Sequence, residues 1–221
     1  MRSNSTRARA LLAAGVLGTT LSAPDAIAQT AAPASATAGS KLTVSAKRLD
    51  VRAGRVAVVR GVLHPRASGR IVRLEALRRG RWHQIDADLT SRSGRFVVRY
   101  QTRRAASSVV RVRFGGAAGA RASHRVVGRL NAFRPAVASW YGPGLYGNRL
   151  GCGGTLTPGT IGVAHKYLPC GTTVVLRHGS HVVRARVVDR GPYVGGREFD
   201  LTAATKYRLG FGSVGTVWVA H

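Results

Sequence analysis

From Lys41 to about Gly128 the chain alternates apolar and polar residues in short runs, among them Leu42-Thr43-Val44-Ser45, Arg70 to Leu77, Gly94 to Tyr100 and Val109 to Phe114. A period of two, broken often by Gly, Ser and Pro, predicts β-strands. About seven such runs at spacings of roughly ten residues predict a small antiparallel sandwich. Further on, Thr173 to Leu176 and His181 to Val188 are rich in β-branched residues and are joined by the polar Arg177-His178-Gly179-Ser180, which predicts a hairpin. Thr202 to Leu209 suits a short helix ending at Gly210, and Gly215 to Ala220 reads as a closing strand.

The first residues follow a different pattern. Arg2, Arg7 and Arg9 precede the small, apolar run Ala10 to Leu21, and Ala26-Ile27-Ala28 supplies a small-x-small cleavage pattern. Residues 1–28 are therefore expected to be a signal peptide cut near Ala28. The apolar run falls short of the roughly 20 residues that span a bilayer. No cysteine lies near Ala28, so a lipoprotein is not expected. Residues 29–40 are Ala, Thr, Ser and Pro without apolar periodicity, the composition of a flexible linker.

Charge changes the picture next. The chain carries a formal net charge of +27 over its 221 residues, with 35 basic and 8 acidic side chains. Residues 41–134 hold 23 of the basic and 4 of the acidic groups. A field of that size attracts polyanions whatever the fold. Export removes chromosomal DNA from the partners of normal function, which leaves anionic wall polymers or an anionic membrane surface for residues 41–134. The bland alternative is that these arginines are the solvated faces of strands.

The last third carries four blocks in order. They are Ala138-Ser139-Trp140-Tyr141-Gly142-Pro143-Gly144-Leu145-Tyr146-Gly147, then Val163-Ala164-His165-Lys166-Tyr167-Leu168-Pro169-Cys170-Gly171-Thr172, Val187-Val188-Asp189-Arg190-Gly191-Pro192-Tyr193 and Glu198-Phe199-Asp200-Leu201-Thr202. Together they resemble the rare lipoprotein A-like double-psi β-barrel family, which includes septal lytic transglycosylases of peptidoglycan. Gly151-Cys152-Gly153 and Leu168-Pro169-Cys170-Gly171 are similar to a cysteine-containing branch of it. Gly80-Arg81-Trp82 and Ser93-Gly94-Arg95-Phe96 more faintly resemble a bacterial immunoglobulin-like module.

The expected fold is thus all-β. A basic, immunoglobulin-like antiparallel sandwich spans residues 41–130, and a six-stranded double-psi barrel with one short helix spans residues 136–221. The chain is expected to be a monomer, secreted or wall-associated, and the resemblance implies that it acts on peptidoglycan glycan strands. The activity it implies is lytic transglycosylase cleavage to 1,6-anhydromuramic ends, with no cofactor or metal. The alternative is expansin-like binding or loosening without cleavage.

Glycosidic cleavage needs a proton donor for the leaving oxygen, and a carboxyl in a partly dry groove supplies it. The barrel holds only three acids. Asp189 and Asp200 sit at expected strand ends, and the resemblance implies that both line the groove and that Asp189 and His165 are catalytic, with His165 orienting Asp189 or holding an N-acetyl group. Asp200 is the third expected catalytic residue. Tyr141, Tyr146, Arg190 and Tyr193 are the expected substrate-binding residues, Tyr141 being read as the more exposed of the rings. Asp189 paired with Arg190 and His165 as a structural histidine remain open. Two cysteines, Cys152 and Cys170, in an exported chain predict a disulfide, and two thiols with one histidine make a poor zinc signature. One departure stands out. Family members commonly carry acids where this chain has Gly154 and Thr157.

Overall fold

A computed structural model describes residues 39–221. The expected signal peptide and nearly all of the expected linker lie outside the described residues. The chain forms β1 (Lys41–Arg48), β2 (Asp50–Arg52), β3 (Val56–His64), β4 (Ile71–Arg78), β5 (Arg81–Leu89), β6 (Arg95–Gln101), β7 (Ala106–Phe114) and β8 (Ser123–Tyr141). It continues through β9 (Gly162–Ala164), β10 (Thr173–His178), β11 (His181–Asp189), β12 (Phe199–Thr202), α1 (Ala203–Leu209) and β13 (Gly215–Ala220). No helix among the described residues is long and apolar enough to cross a membrane.

Two sheets make the first half. One has the order β1-β3-β6, and the other runs β5-β4-β7 into the first half of β8. Their inward positions form one apolar cluster, in which Leu42, Val59, Leu63, Phe96 and Val98 meet Val72, Leu74, Val110, Val112 and Phe114. Full burial of each such side chain stabilises by about 1.5–3 kcal/mol. Strand pairing is antiparallel except where β2 lies parallel to β8, so the expected wholly antiparallel pattern needs that one amendment. The reason is that β2 is only three residues long and joins the edge beside Asn131 to Phe133.

Six strands close the barrel: β8, β12, β9, β11, β10 and β13, with β13 returning to β8. Its core is Ala138, Val163, Val174, Leu176, Ala185, Val187, Phe199, Leu201, Leu209, Val217 and Val219. β8 belongs to both halves. Its early residues pair with β7 and those from Arg134 pair with β13, so the stretch expected to separate two domains is the middle of one 19-residue strand. At this join Phe133, Val175 and Ala220 are buried together against a half-buried Trp218, and the Arg52 guanidinium lies 4.6 Å from the Trp218 ring centre.

Local chemistry explains the ends of elements. β10 and β11 extend until only Gly179 and Ser180 connect them, two residues rather than the expected four. Gly179, at φ 57°, suits the first position of such a tight turn. Thr202 caps α1 by accepting from the Thr205 amide, and Gly210 ends it in the left-handed conformation.

Candidate functional site

The short strand β9 sets the site. Its last residue, Ala164, pairs with Asp200 of β12 on one side and with Asp189 of β11 on the other. The second pairing depends on a bulge. Val187 opposes Val163 and Asp189 opposes Ala164, so Val188 is passed over. A bulge re-aims the side chain that follows it, and here it brings Asp189 to the same side as Asp200. Two interstrand spacings put their Cα atoms about 10 Å apart, with only a methyl group between.

The two carboxyls live differently. Burial holds the Asp200 carboxyl above the usual carboxylate range, and the Asp189 charge adds to that, while Ser139 and Arg197 oppose it. Ser139 is its partner on β8, and Tyr141 follows two residues along on the same face. Asp200 Oδ1, Ser139 Oγ and the Tyr141 hydroxyl are all buried. Ser139 lies close enough to Asp200, and Asp189 to Tyr141, to influence the titration of each, but none of the three buried atoms meets a partner at full hydrogen-bond geometry. Burial, then the nearby Asp189 carboxylate, pushes the Tyr141 phenol far up. Tyr141 is thus half-buried beside the two carboxyls, not the most exposed ring expected. Tyr146 and Tyr193 are freer, at 38% and 79% exposure.

Asp189 is held from the backbone. Its Oδ1 accepts from the amides of Gly151 at 2.6 Å and Arg190 at 2.8 Å. The Arg190 side chain turns away. Its Nη1 donates to the carbonyls of His165 (3.0 Å) and Leu168 (2.8 Å), and its Nη2 to Cys170 Sγ (2.9 Å). Arg190 is therefore not the ion-pair partner of Asp189, the alternative left open above. Three of its five guanidinium donors are already held by the protein, two by carbonyls and one by sulfur.

His165 points elsewhere as well. Its Nδ1 accepts from the amides of Tyr167 (3.0 Å) and Leu168 (2.9 Å), which leaves the neutral ring its proton on Nε2. Nε2 lies 3.6 Å from Glu198 Oε1, and the ring packs on Phe199. The expected hydrogen bond to Asp189 is not formed, because those amides and Glu198 fix the ring. Burial lowers the His165 pKa, and Glu198 opposes that. Glu198 itself is paired bidentately with Arg134, chiefly through which its carboxyl sits below the usual range. His165 and Glu198 line an open pocket of about 550 Å³ with Val137, Lys166, Arg197 and an 86% exposed Tyr167. Glu198 was missed in the sequence, although parity gives it away. Phe199 and Leu201 are core, so Asp200 on β12 and Glu198 just before it face the same outer side, about 7 Å apart.

Cys152 and Cys170 form the expected disulfide, with Cα atoms 5.5 Å apart. Gly154 lies at φ 79° with no atom within 4 Å of the place a Cβ would take. Thr157 is exposed and bonded to Thr160 through both its amide and its hydroxyl.

Residues 135–221 match the family described as lytic transglycolase, a double-psi β-barrel family. The match to this lytic transglycolase family covers the closed barrel and stops at the sandwich. Over 106 residues the chain is 41% identical to the probable endolytic peptidoglycan transglycosylase RlpA of Synechocystis sp., covering 42% of this chain and 33% of that protein. It is 42% identical over 76 residues to the protein of the same description from Aquifex aeolicus, covering 33% of each chain. With the endolytic peptidoglycan transglycosylase RlpA of Campylobacter jejuni it shares 35% identity over 82 residues, 36% of this chain and 30% of that one. The chain therefore spans about a third of the length of these relatives.

Proposed function

We propose that the barrel cleaves peptidoglycan glycan strands as a lytic transglycosylase. The observation that carries this reading is the pair Asp189 and Asp200 across Ala164, with the unbonded Ser139 and Tyr141 hydroxyls beside them. Asp200, whose protonated form is favoured by burial, gives its proton to the leaving glycosidic oxygen. The carboxylate so formed, or Asp189 beside it, then takes the proton of the sugar's C6 hydroxyl as that oxygen closes on C1, so no water is consumed. Ser139 and Tyr141 offer hydrogen bonds to sugar hydroxyls, and Tyr146 and Tyr193 offer faces for stacking. His165 serves by shaping the neighbouring pocket with Glu198. The relatives' descriptions as peptidoglycan transglycosylases support the same substrate. Incubation with purified peptidoglycan and mass spectrometry of the soluble products tests this, and 1,6-anhydromuramic ends are expected.

A second reading is supported by Gly154 and Thr157. The loop that bears acids in family members is here built on a glycine with positive φ, a conformation that a glutamate adopts only with strain. A barrel that binds and loosens glycan without cutting it fits that loop. Sedimentation with wall but no anhydro ends would favour it.

The basic sandwich acts as a wall tether in this account. Arg78, Arg99, Arg103 and Arg104 gather around Tyr100 at the edge between the two sheets, and none forms a salt bridge among the described residues. Unpaired cations in a concave site favour an anionic polymer. Wall association is the reading that both halves support, with export and a monomeric state kept as expectations from the sequence.

A further inference from the structure

The loop from Gly142 to Ile161 is fastened to the barrel beside Asp189. The Gly151 amide donates to Asp189 Oδ1, and the next amide, Cys152, donates to the Val188 carbonyl at 3.1 Å. The loop is also tied sideways. Cys152 is bonded to Cys170, whose Sγ accepts from the Arg190 guanidinium, and Gly171 donates to the Val187 carbonyl at 2.8 Å. Arg190 in turn grips the carbonyls of His165 and Leu168. The circuit closes on the bulge at Val188 that aims Asp189. Space is tight in the same place. A Cβ on Gly151 would lie 3.0 Å from Asp189 Oδ1 and 3.2 Å from the Arg190 amide.

We propose that Gly151, the Cys152–Cys170 disulfide and Arg190 are a positioning clamp, which holds the Asp189 carboxylate at the angle that glycan cleavage requires. The inference rests on the cleavage reading above. The disulfide fixes Gly151, Gly151 fixes one carboxylate oxygen, and Arg190 braces the facing loop while giving its own amide to that oxygen. Glycan contacts through Tyr146, Tyr193, Ser139 and Asp200 lie outside the clamp. Loss of the clamp therefore acts on the chemical step and leaves binding in place.

The full chain is compared with Cys152→Ser/Cys170→Ser and, separately, with Gly151→Ala, which keeps the disulfide. Three quantities are read: the rate of anhydro-end formation, sedimentation with peptidoglycan, and hydrogen exchange at the residue 151 amide. Both variants are expected to lose on the order of 10²-fold in kcat, with KM and sedimentation within about twofold, as expected when groups acting only in the chemical step are displaced. The 151 amide is expected to exchange faster in the double serine variant, while amides of Val163, Val187 and Leu201 keep their protection. A folded variant of either kind that cleaves at the wild-type rate overturns the clamp. If the double variant does not fold, Gly151→Ala decides on rate alone. A wild type that yields no anhydro ends overturns the cleavage reading, and an unchanged 151 amide in the double serine variant then overturns the clamp as well.

Discussion

Asp189 and Asp200 flank Ala164 from its two neighbouring strands, one paired parallel and the other antiparallel. The arrangement depends on side-chain size at the centre. A larger residue at Ala164 would stand between the carboxyls, so Ala164→Leu is expected to abolish cleavage and weaken glycan sedimentation, with a barrel that still melts cooperatively.

Replacing Asp200 by Asn removes the proposed proton donor. Cleavage is expected to fall by about 10²- to 10⁴-fold, while binding to purified wall persists. The rate should also decline as pH rises through the folded-state pKa of Asp200, which burial places above the ordinary carboxylate range. A pH–rate profile checks this.

Stability gives the same residue an independent test. Its folded-state pKa is raised, so its contribution is full below the unfolded value of about 3.9 and is lost as pH rises through the folded value. Asp200→Asn is therefore expected to raise the Tm at neutral pH and to leave it unchanged near pH 3, as thermal melts at both pH values will show.

Glu198 has the opposite sign. Its carboxyl is lowered, mainly by the Arg134 bond, so its contribution is present at neutral pH and disappears as the solution is acidified through the folded-state value. Glu198→Gln is expected to cost about 1 kcal/mol at pH 7, given that the pair is a third exposed, and the difference should vanish in acid denaturation series. His165 would lose its facing charge at the same time, which a histidine titration by NMR would register.

Much of the barrel was legible in the sequence. β-branched runs located β10, β11 and β13, and Gly210 marked the end of the helix, whose start lies one residue later than expected because Thr202 caps it. Cys152 and Cys170 paired as two cysteines of an exported chain should. What the sequence concealed was set by long-range contacts. The bulge at Val188, which decides where Asp189 points, appears only when β11 lies beside β9. Arg190 follows Asp189 in sequence, yet it reaches carbonyls 22 and 25 residues away. His165 is drawn to Glu198 by a fold that brings the start of β12 beside the end of β9. The continuous β8 was hidden too, since its middle, from Asn131 to Pro135, carries no apolar alternation of its own.

The basic sandwich predicts salt-sensitive wall binding. Replacing Arg78, Arg99, Arg103 and Arg104 by Gln is expected to reduce sedimentation with wall at low salt and to flatten its salt dependence, without altering the cleavage rate on soluble glycan strands.

The most direct test of the central claim compares products from intact peptidoglycan treated with the wild-type chain, Asp189→Asn and Asp200→Asn, analysed by mass spectrometry. The account predicts 1,6-anhydromuramic ends from the wild type and their near-complete loss in both variants. Equal yields of those ends from all three proteins would contradict it.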